Sequence, residues 1–307
     1  MSIRLTILGC HSASPRLNAF PTAQFLEIKE RNFLIDCGEG TQVLLRKYKI
    51  QFSKIKHIFI SHLHGDHFYG LIGLISTFGL NNRENDLHIF GPKGIKDVIT
   101  LQLKLAKSWT KYKLFFHELE NTSSELIFED KKVKVYTIPL KHRVYTNGFL
   151  FQEKLGGRKL NIDAIKANPE IEICDYHNLK KGKDFISKEQ NYTIPNSKLT
   201  FPPDKPLSYA FCSDTEYHPD MIKDIKNVNL LYHESTFLED KKELTKRTQH
   251  STAMEAASIA RQANVGALIL GHFSSRYDDL ELFKEEAKTI FKNVSVAQSG
   301  KIFEIQN

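Results

Sequence analysis

Two hydrophobic patterns alternate along this chain. Short apolar runs of β-favouring residues predict strands over Ile3–Leu8, Gln24–Ile28, Asn32–Ile35, His57–Ile60, Leu87–Phe90, Lys132–Ile138, Leu207–Cys212, Val228–Tyr232 and Ala267–Leu270. Between them, apolar residues return every three or four positions, which predicts helices over Gly40–Tyr48, Tyr69–Gly79, Ile95–Ser108, Thr252–Ala263 and Asp279–Phe291. The Thr252–Ala263 segment is alanine-rich, with Ser251 or Thr252 as its cap and Glu255 in its first turn. Strands and helices mixed through the whole length, with no internal repeat, predict a layered α/β domain with helices outside.

One segment breaks the alternation. From Glu153 to Thr200 the chain turns polar, with Gly156-Gly157-Arg158-Lys159 near its start and Lys180-Lys181-Gly182-Lys183 further on. It holds nine Lys and Arg against seven Asp and Glu, so it is only slightly basic. By composition it reads as a solvated insertion or a partly helical lid. It lies between two strands that each lead into a ligand-type side chain.

At 307 residues the chain is long enough to bury a substantial core as one or two domains. The N-terminus reads as a strand rather than a signal peptide, and no apolar stretch approaches a membrane span, so no membrane partner is expected. Cys10, Cys37, Cys174 and Cys212 are scattered without a C-x-x-C pair, which excludes a cysteine zinc cluster and fits a reducing cytoplasm. A formal charge of +7 leans only weakly toward polyanionic partners.

The chemistry concentrates in Ser61-His62-Leu63-His64-Gly65-Asp66-His67, directly after the predicted strand ending at Ile60. Three imidazoles and a carboxylate within six positions are nitrogen and oxygen ligands suited to zinc or a similar divalent ion. Three further strand exits carry the same ligand types: His142 after Val133–Ile138, Asp214 after Tyr209–Cys212, and His272 after Leu268–Leu270. Singly, these read as a loop histidine, a turn former and a satisfied histidine. Together, five histidines and two aspartates can hold two ions with one carboxylate bridging.

The run His62–His67 with His142, Asp214 and His272 resembles the ligand set of the metallo-β-lactamase superfamily. Within it the chain resembles the short form of the ribonuclease Z family of tRNA 3′-processing endonucleases. The narrower match lies in Asp36-Cys37-Gly38-Glu39-Gly40-Thr41-Gln42, Gly91-Pro92-Lys93-Gly94, His233-Glu234-Ser235-Thr236-Phe237, His250-Ser251-Thr252 and Gly271-His272-Phe273-Ser274-Ser275-Arg276-Tyr277. The resemblance implies a four-layer αββα sandwich, a single domain over 1–307 with 153–200 as an inserted flexible tRNA-binding arm, and a homodimer. It also implies two Zn²⁺ per chain, with Mn²⁺ or Fe²⁺ as alternatives. One ion would be held by His62, His64 and His142, the other by Asp66, His67 and His272, with Asp214 bridging.

The same resemblance gives the remaining roles. Asp66 would orient or deprotonate the attacking water, and His250, oriented by Glu234, would protonate the leaving ribose 3′ oxygen. Ser274 and Arg276 would contact the scissile or a neighbouring phosphate. Asp36, Gly38 and Gln42 read as structural support. The sequence departs from the family in the arm, where Asn168-Pro169-Glu170-Ile171-Glu172-Ile173-Cys174-Asp175-Tyr176 replaces a glycine- and proline-rich stretch, and in the loop Ser12–Asn18. The expected activity is removal of 3′ trailers from precursor tRNA, leaving a tRNA 3′-hydroxyl and a trailer 5′-phosphate. The rivals are a hydrolase of small phosphodiesters or sulfate esters on the same fold, and a non-catalytic RNA-binding relative.

Overall fold

Period-two alternation in the first strand, β1 (Ser2–Gly9), sends Ile3, Leu5 and Ile7 to one face and Leu8 to the other. In the computed structural model, which describes residues 2–14, 16–187 and 192–306, five strands follow on this side of the fold. They are β2 (Ala23–Ile28), β3 (Arg31–Ile35), β4 (His57–Phe59), β5 (Leu87–Pro92) and β6 (Leu114–Leu119). The chain then crosses to β7 (Leu126–Glu129), β8 (Val133–Pro139) and β9 (Asn147–Glu153). A second unit over 153–206 carries the two-residue strands β10 (Lys159–Leu160), β11 (Phe185–Ile186), β12 (Thr193–Ile194) and β13 (Thr200–Phe201). After it come β14 (Ser208–Cys212), β15 (Leu230–Glu234), β16 (Ala267–Gly271), β17 (Val294–Val296) and β18 (Ile302–Gln306).

The first unit, 1–152 with 207–306, contains two seven-stranded sheets, ordered β18-β1-β2-β3-β4-β5-β6 and β17-β16-β15-β14-β9-β8-β7. β3 to β6 run parallel in the first sheet, and β14 to β17 run parallel in the second. Phe33, Phe59 and Phe90 from the first sheet interlock with Phe149 and Phe151 from the second. Phe33 to Phe151 is 5.2 Å and Phe59 to Phe149 is 5.4 Å between ring centroids. The outer face of the first sheet is covered by helices Thr41–Lys47, Gly70–Leu80 and Ile95–Leu105 through Leu44, Leu74, Phe78 and Ile99. Helix Ala253–Gln262 packs on β15 and β16, and its alanines allow close approach. Helix, sheet, sheet, helix is the expected four-layer order.

The predicted elements are all present, with shifted ends. β15 begins two residues later than the pattern predicts and runs through Glu234, because Leu230–Glu234 is buried throughout. β6, β7, β9, β17 and β18 are strands the pattern leaves out. β9 opens on Asn147-Gly148, a turn-like pair. Here a glycine is needed because a Cβ at 148 would lie 2.4 Å from the Phe211 carbonyl oxygen on β14. Among the described residues no helix is long and apolar enough to cross a membrane.

The second unit has a core of its own, in contrast to the solvated stretch its composition suggests. Ile165, Ile171, Leu179, Phe185 and Leu199 are buried together. β10 pairs with β13 and β11 with β12. Asn196 fastens the unit, its side-chain amide donating to the carbonyls of Leu179 (2.9 Å) and Lys183 (2.8 Å). Lys180, Lys181 and Lys183 are exposed. Residues 188–191 of this segment, and Pro15 in the N-terminal loop, lie outside the described residues.

Candidate active site

Parallel strands of a sheet present their carboxyl ends on one side, where loops are free to carry polar groups. β4 delivers Ser61–His67 there, β14 delivers Asp214, and β16 delivers His272; His142 follows β8. The seven ligand-type side chains meet around the Asp214 carboxylate. Its Oδ2 lies 3.5 Å from His62 Nε2 and 3.8 Å from His142 Nε2. Its Oδ1 lies 3.2 Å from His67 Nε2 and 3.3 Å from His272 Nε2. His64 Nδ1 completes the first group, 2.9 Å from His62 Nε2 and 3.3 Å from His142 Nε2. Asp66 Oδ2 completes the second, 3.4 Å from His67 Nε2 and 3.3 Å from His272 Nε2. Two sets, His62/His64/His142/Asp214 and Asp66/His67/His272, therefore each place their donor atoms within 4.8 Å of one another.

This donor set fits divalent cations. The outward Nδ1 atoms are occupied: His67 by Asp36 (2.6 Å), His142 by the Gln249 carbonyl (2.9 Å), and His272 by Thr236 Oγ (2.9 Å). Ser61 Oγ donates to Asp36 (2.9 Å) and so accepts from His62 Nδ1 (3.1 Å). These partners fix the tautomers and leave lone pairs on the inward Nε2 atoms. His67 Nε2 is buried with no hydrogen-bond partner. All the inward donors are nitrogen or oxygen, which suits zinc, manganese or iron.

Charge follows the same division. Burial and the neighbouring imidazoles pull His62 well below the ordinary histidine range, and burial with His142 and Arg143 pulls His64 to about 4. Both are neutral at pH 7, the form that ligates. Burial opposes protonation of His67, but with no cation beside it Asp214, Asp66 and Asp36 outweigh burial and raise the group well above its usual value, so a cation bound at Nε2 would displace a proton there. Burial works against both Asp66 and Asp214, yet the surrounding histidines hold each carboxylate well below the usual range.

The backbone around this cluster is strained. Asp36, Asp214, Gln249 and His272 all have left-handed φ values, between 54° and 61°. Non-glycine residues adopt this region at a cost of about 1–3 kcal/mol each, and typically at functional sites. Gly38 supports the cluster differently: a Cβ there would lie 2.4 Å from the Asp66 carbonyl oxygen, so only glycine lets that loop approach. Gln42 does not reach the ligands. It accepts a bond from Thr77 (2.9 Å) and joins two helices instead.

His250 stands beside both ligand sets, its ring 5.1 Å from His142 and 5.2 Å from His272. Its Nδ1 donates to Glu234 Oε1 at 2.7 Å. Glu234 is fully buried and also accepts from the amides of Thr215 and Thr236 and from the Thr236 hydroxyl. Burial pulls His250 down, but the charge and hydrogen bond of Glu234 hold it up at about 9. The imidazole is therefore protonated at neutral pH. In Glu234→Gln the titration of His250, followed by NMR, should move to lower pH, by about one unit or more. The sign follows because the variant loses the carboxylate charge that favours the imidazolium. A His250 titration that does not move would remove Glu234 as the group that holds the ring charged.

Ser274 and Arg276 follow His272 on one loop. Ser274 is buried, its amide donates to the Thr236 carbonyl (3.2 Å), and Arg276 Nη1 lies 3.3 Å from its Oγ. Arg16 ties this loop to the N-terminal one through the Tyr277 carbonyl (3.0 Å) and Asp278. Sequence reasoning passed over Thr236, which links His272 to Glu234, the Gln249 carbonyl behind His142, and Arg143 beside His64. Thr236 lies inside the quoted His-Glu-Ser-Thr-Phe segment, and Arg143 directly follows a ligand candidate.

Two stacked sheets with this His/Asp cluster at their strand ends define a metallo-β-lactamase-fold hydrolase. A solved metallo-β-lactamase-fold protein from Bacillus subtilis shares the fold, with a TM-score of 0.68 at 19% identity over 99% of this chain and 100% of that one. A family model described as anti-Pycsar protein Apyc1 matches residues 3–157. Over the whole length the similarity is to ribonuclease Z. The protein of that name from Bacteroides thetaiotaomicron is 44% identical over 99% of this chain and 95% of its own. That from Cytophaga hutchinsonii is 44% identical over 100% and 97%. The crystal structure of human tRNase Z, short form, matches with a TM-score of 0.71 at 25% identity, covering 98% of each chain. The chain belongs to the ribonuclease Z family.

Proposed function

We propose that this chain is a metal-dependent endoribonuclease that removes 3′ trailers from tRNA precursors, leaving a 3′-hydroxyl on the tRNA and a 5′-phosphate on the trailer. The observation that carries this reading is the protonated His250–Glu234 pair set against a seven-residue ligand cluster. His62, His64 and His142 would hold one ion and Asp66, His67 and His272 the other, with Asp214 shared; zinc is the reading, with manganese or iron as alternatives. Two such ions, when bound, lower the pKa of a water and stabilise both oxygens of an in-line phosphoryl displacement. Asp66 orients the attacking water and accepts its proton. His250 gives its proton to the departing ribose 3′ oxygen, and Glu234 keeps the ring oriented and charged for that transfer. Ser274 and Arg276 hold the phosphate.

The unit over 153–206, with its exposed Lys180, Lys181 and Lys183, serves as the arm that grips the tRNA body. We read the protein as a cytoplasmic homodimer in which each arm serves the neighbouring subunit's site. The free state of all four cysteines suits a reducing compartment. The test is to incubate the pure protein with a trailer-bearing precursor and map both cut ends. Cleavage of small diesters without cleavage of the precursor would overturn the RNA assignment. Replacing residues 157–203 with a short linker should weaken precursor binding while largely sparing hydrolysis of a nitrophenyl phosphodiester. Equal loss on both substrates would make the unit part of the catalytic scaffold.

A further inference from the structure

Arg143 is an exposed cation at the mouth of the ligand cluster, and none of the roles above uses it. It directly follows His142, and its Nε donates to His64 Nε2 at 3.2 Å. No carboxylate partners it among the described residues, whereas the neighbouring Lys141 is committed to Glu216. Its two terminal nitrogens, the fork that suits a phosphate, are open. Beside it lies a pocket of about 440 Å³ lined by polar groups including Asn121, Tyr145, Asn147 and His218. Asn147 is almost fully buried, and its Oδ1 has no hydrogen-bond partner.

We propose that Arg143 binds the phosphate adjoining the scissile one, so that the pocket beside His142 is a nucleotide subsite. The proposal rests on the RNA-cleaving function above. Arg276 stands four residues after His272 of one ligand set, and Arg143 directly follows His142 of the other. An RNA strand crossing the cluster then meets a guanidinium that follows a ligand of each set. The contact with His64 is a resting one. Once Nδ1 of His64 faces a cation, its proton belongs on Nε2, and Arg143 loses its acceptor there. The guanidinium is then released for the RNA.

The test compares the full-length metal-loaded protein with Arg143→Ala and Arg143→Lys, with metal content measured for each. On precursor tRNA, kcat/KM for Arg143→Ala should fall about tenfold or more, the scale of a charge-assisted hydrogen bond. On bis(p-nitrophenyl) phosphate, which has one phosphate only, it should fall far less. Binding of precursor tRNA to the metal-loaded protein in a slow-cleaving His250→Ala background, followed by fluorescence anisotropy, should weaken too. Its dependence on log salt should become shallower by roughly 0.7–0.9, the value for one phosphate contact. Arg143→Lys should restore the salt slope, since the charge remains. Equal loss on both substrates, loss of metal, or an unchanged salt slope would overturn the proposal. A wild-type protein that fails to cut the precursor would instead refute the function itself.

Discussion

His250→Ala should lower single-turnover cleavage of precursor tRNA by roughly 10²–10⁴-fold, the range lost with a positioned general acid. A ribose 3′ alkoxide is a poor leaving group and needs its proton in the transition state. A nitrophenolate leaves readily, so the same variant should lose little on a nitrophenyl phosphodiester. Metal content should stay unchanged: His250 also lies within 4.8 Å of Asp214 and His272, but its Nδ1 is committed to Glu234 and both ligand sets are complete without it. Single-turnover conditions keep product release from hiding the chemical step. If both substrates slow by one factor, His250 positions ligands rather than donating a proton.

Asp214→Ala should lose most of the metal from both positions and nearly all activity. Asp214 is the one side chain whose two oxygens face both ligand sets, and it is buried. Its left-handed backbone complicates the variant, since alanine there costs about 1–2 kcal/mol before any ligand is counted. Asp214→Asn separates the effects. Asparagine tolerates that backbone but brings a neutral carbonyl and a donor amide where a shared anion is needed. Metal analysis beside circular dichroism on both variants decides the matter. Retention of close to two ions per chain in a folded Asp214→Asn would sink the bridging role.

Much of this site was legible in the chain because its ligands are concentrated. Four ligand-type residues fall within His62–His67, and His142, Asp214 and His272 each stand just past a β-type run. The supporting contacts were not legible. Thr236 and Gln249 act through a hydroxyl and a backbone carbonyl, which no residue pattern marks. Asp36 was readable as support but not as the partner of His67, because that pairing joins the end of β3 to the helical turn Gly65–Phe68 beyond β4. The 153–206 unit is partly helical, one of the two forms its composition allows, but its core was not legible for a related reason. Its buried residues Ile165, Ile171, Leu179, Phe185 and Leu199 are too widely spaced to form a periodic signal, and only the fold gathers them.

The ligand cluster also spans the seam between the two sheets. His62, His64, Asp66 and His67 come from the loop after β4, while His142, Asp214 and His272 come from strand ends of the second sheet. Neither sheet alone offers a closed set around the shared carboxylate. A cation bound there acts as a clasp across the interlocked phenylalanines. Its apparent affinity contains the free energy of keeping the two sheets together. By linkage, free metal at 100 times its dissociation constant adds about 2.7 kcal/mol to the folded state for one site. Metal bound for catalysis would thus also hold shut the interface that creates its own binding place.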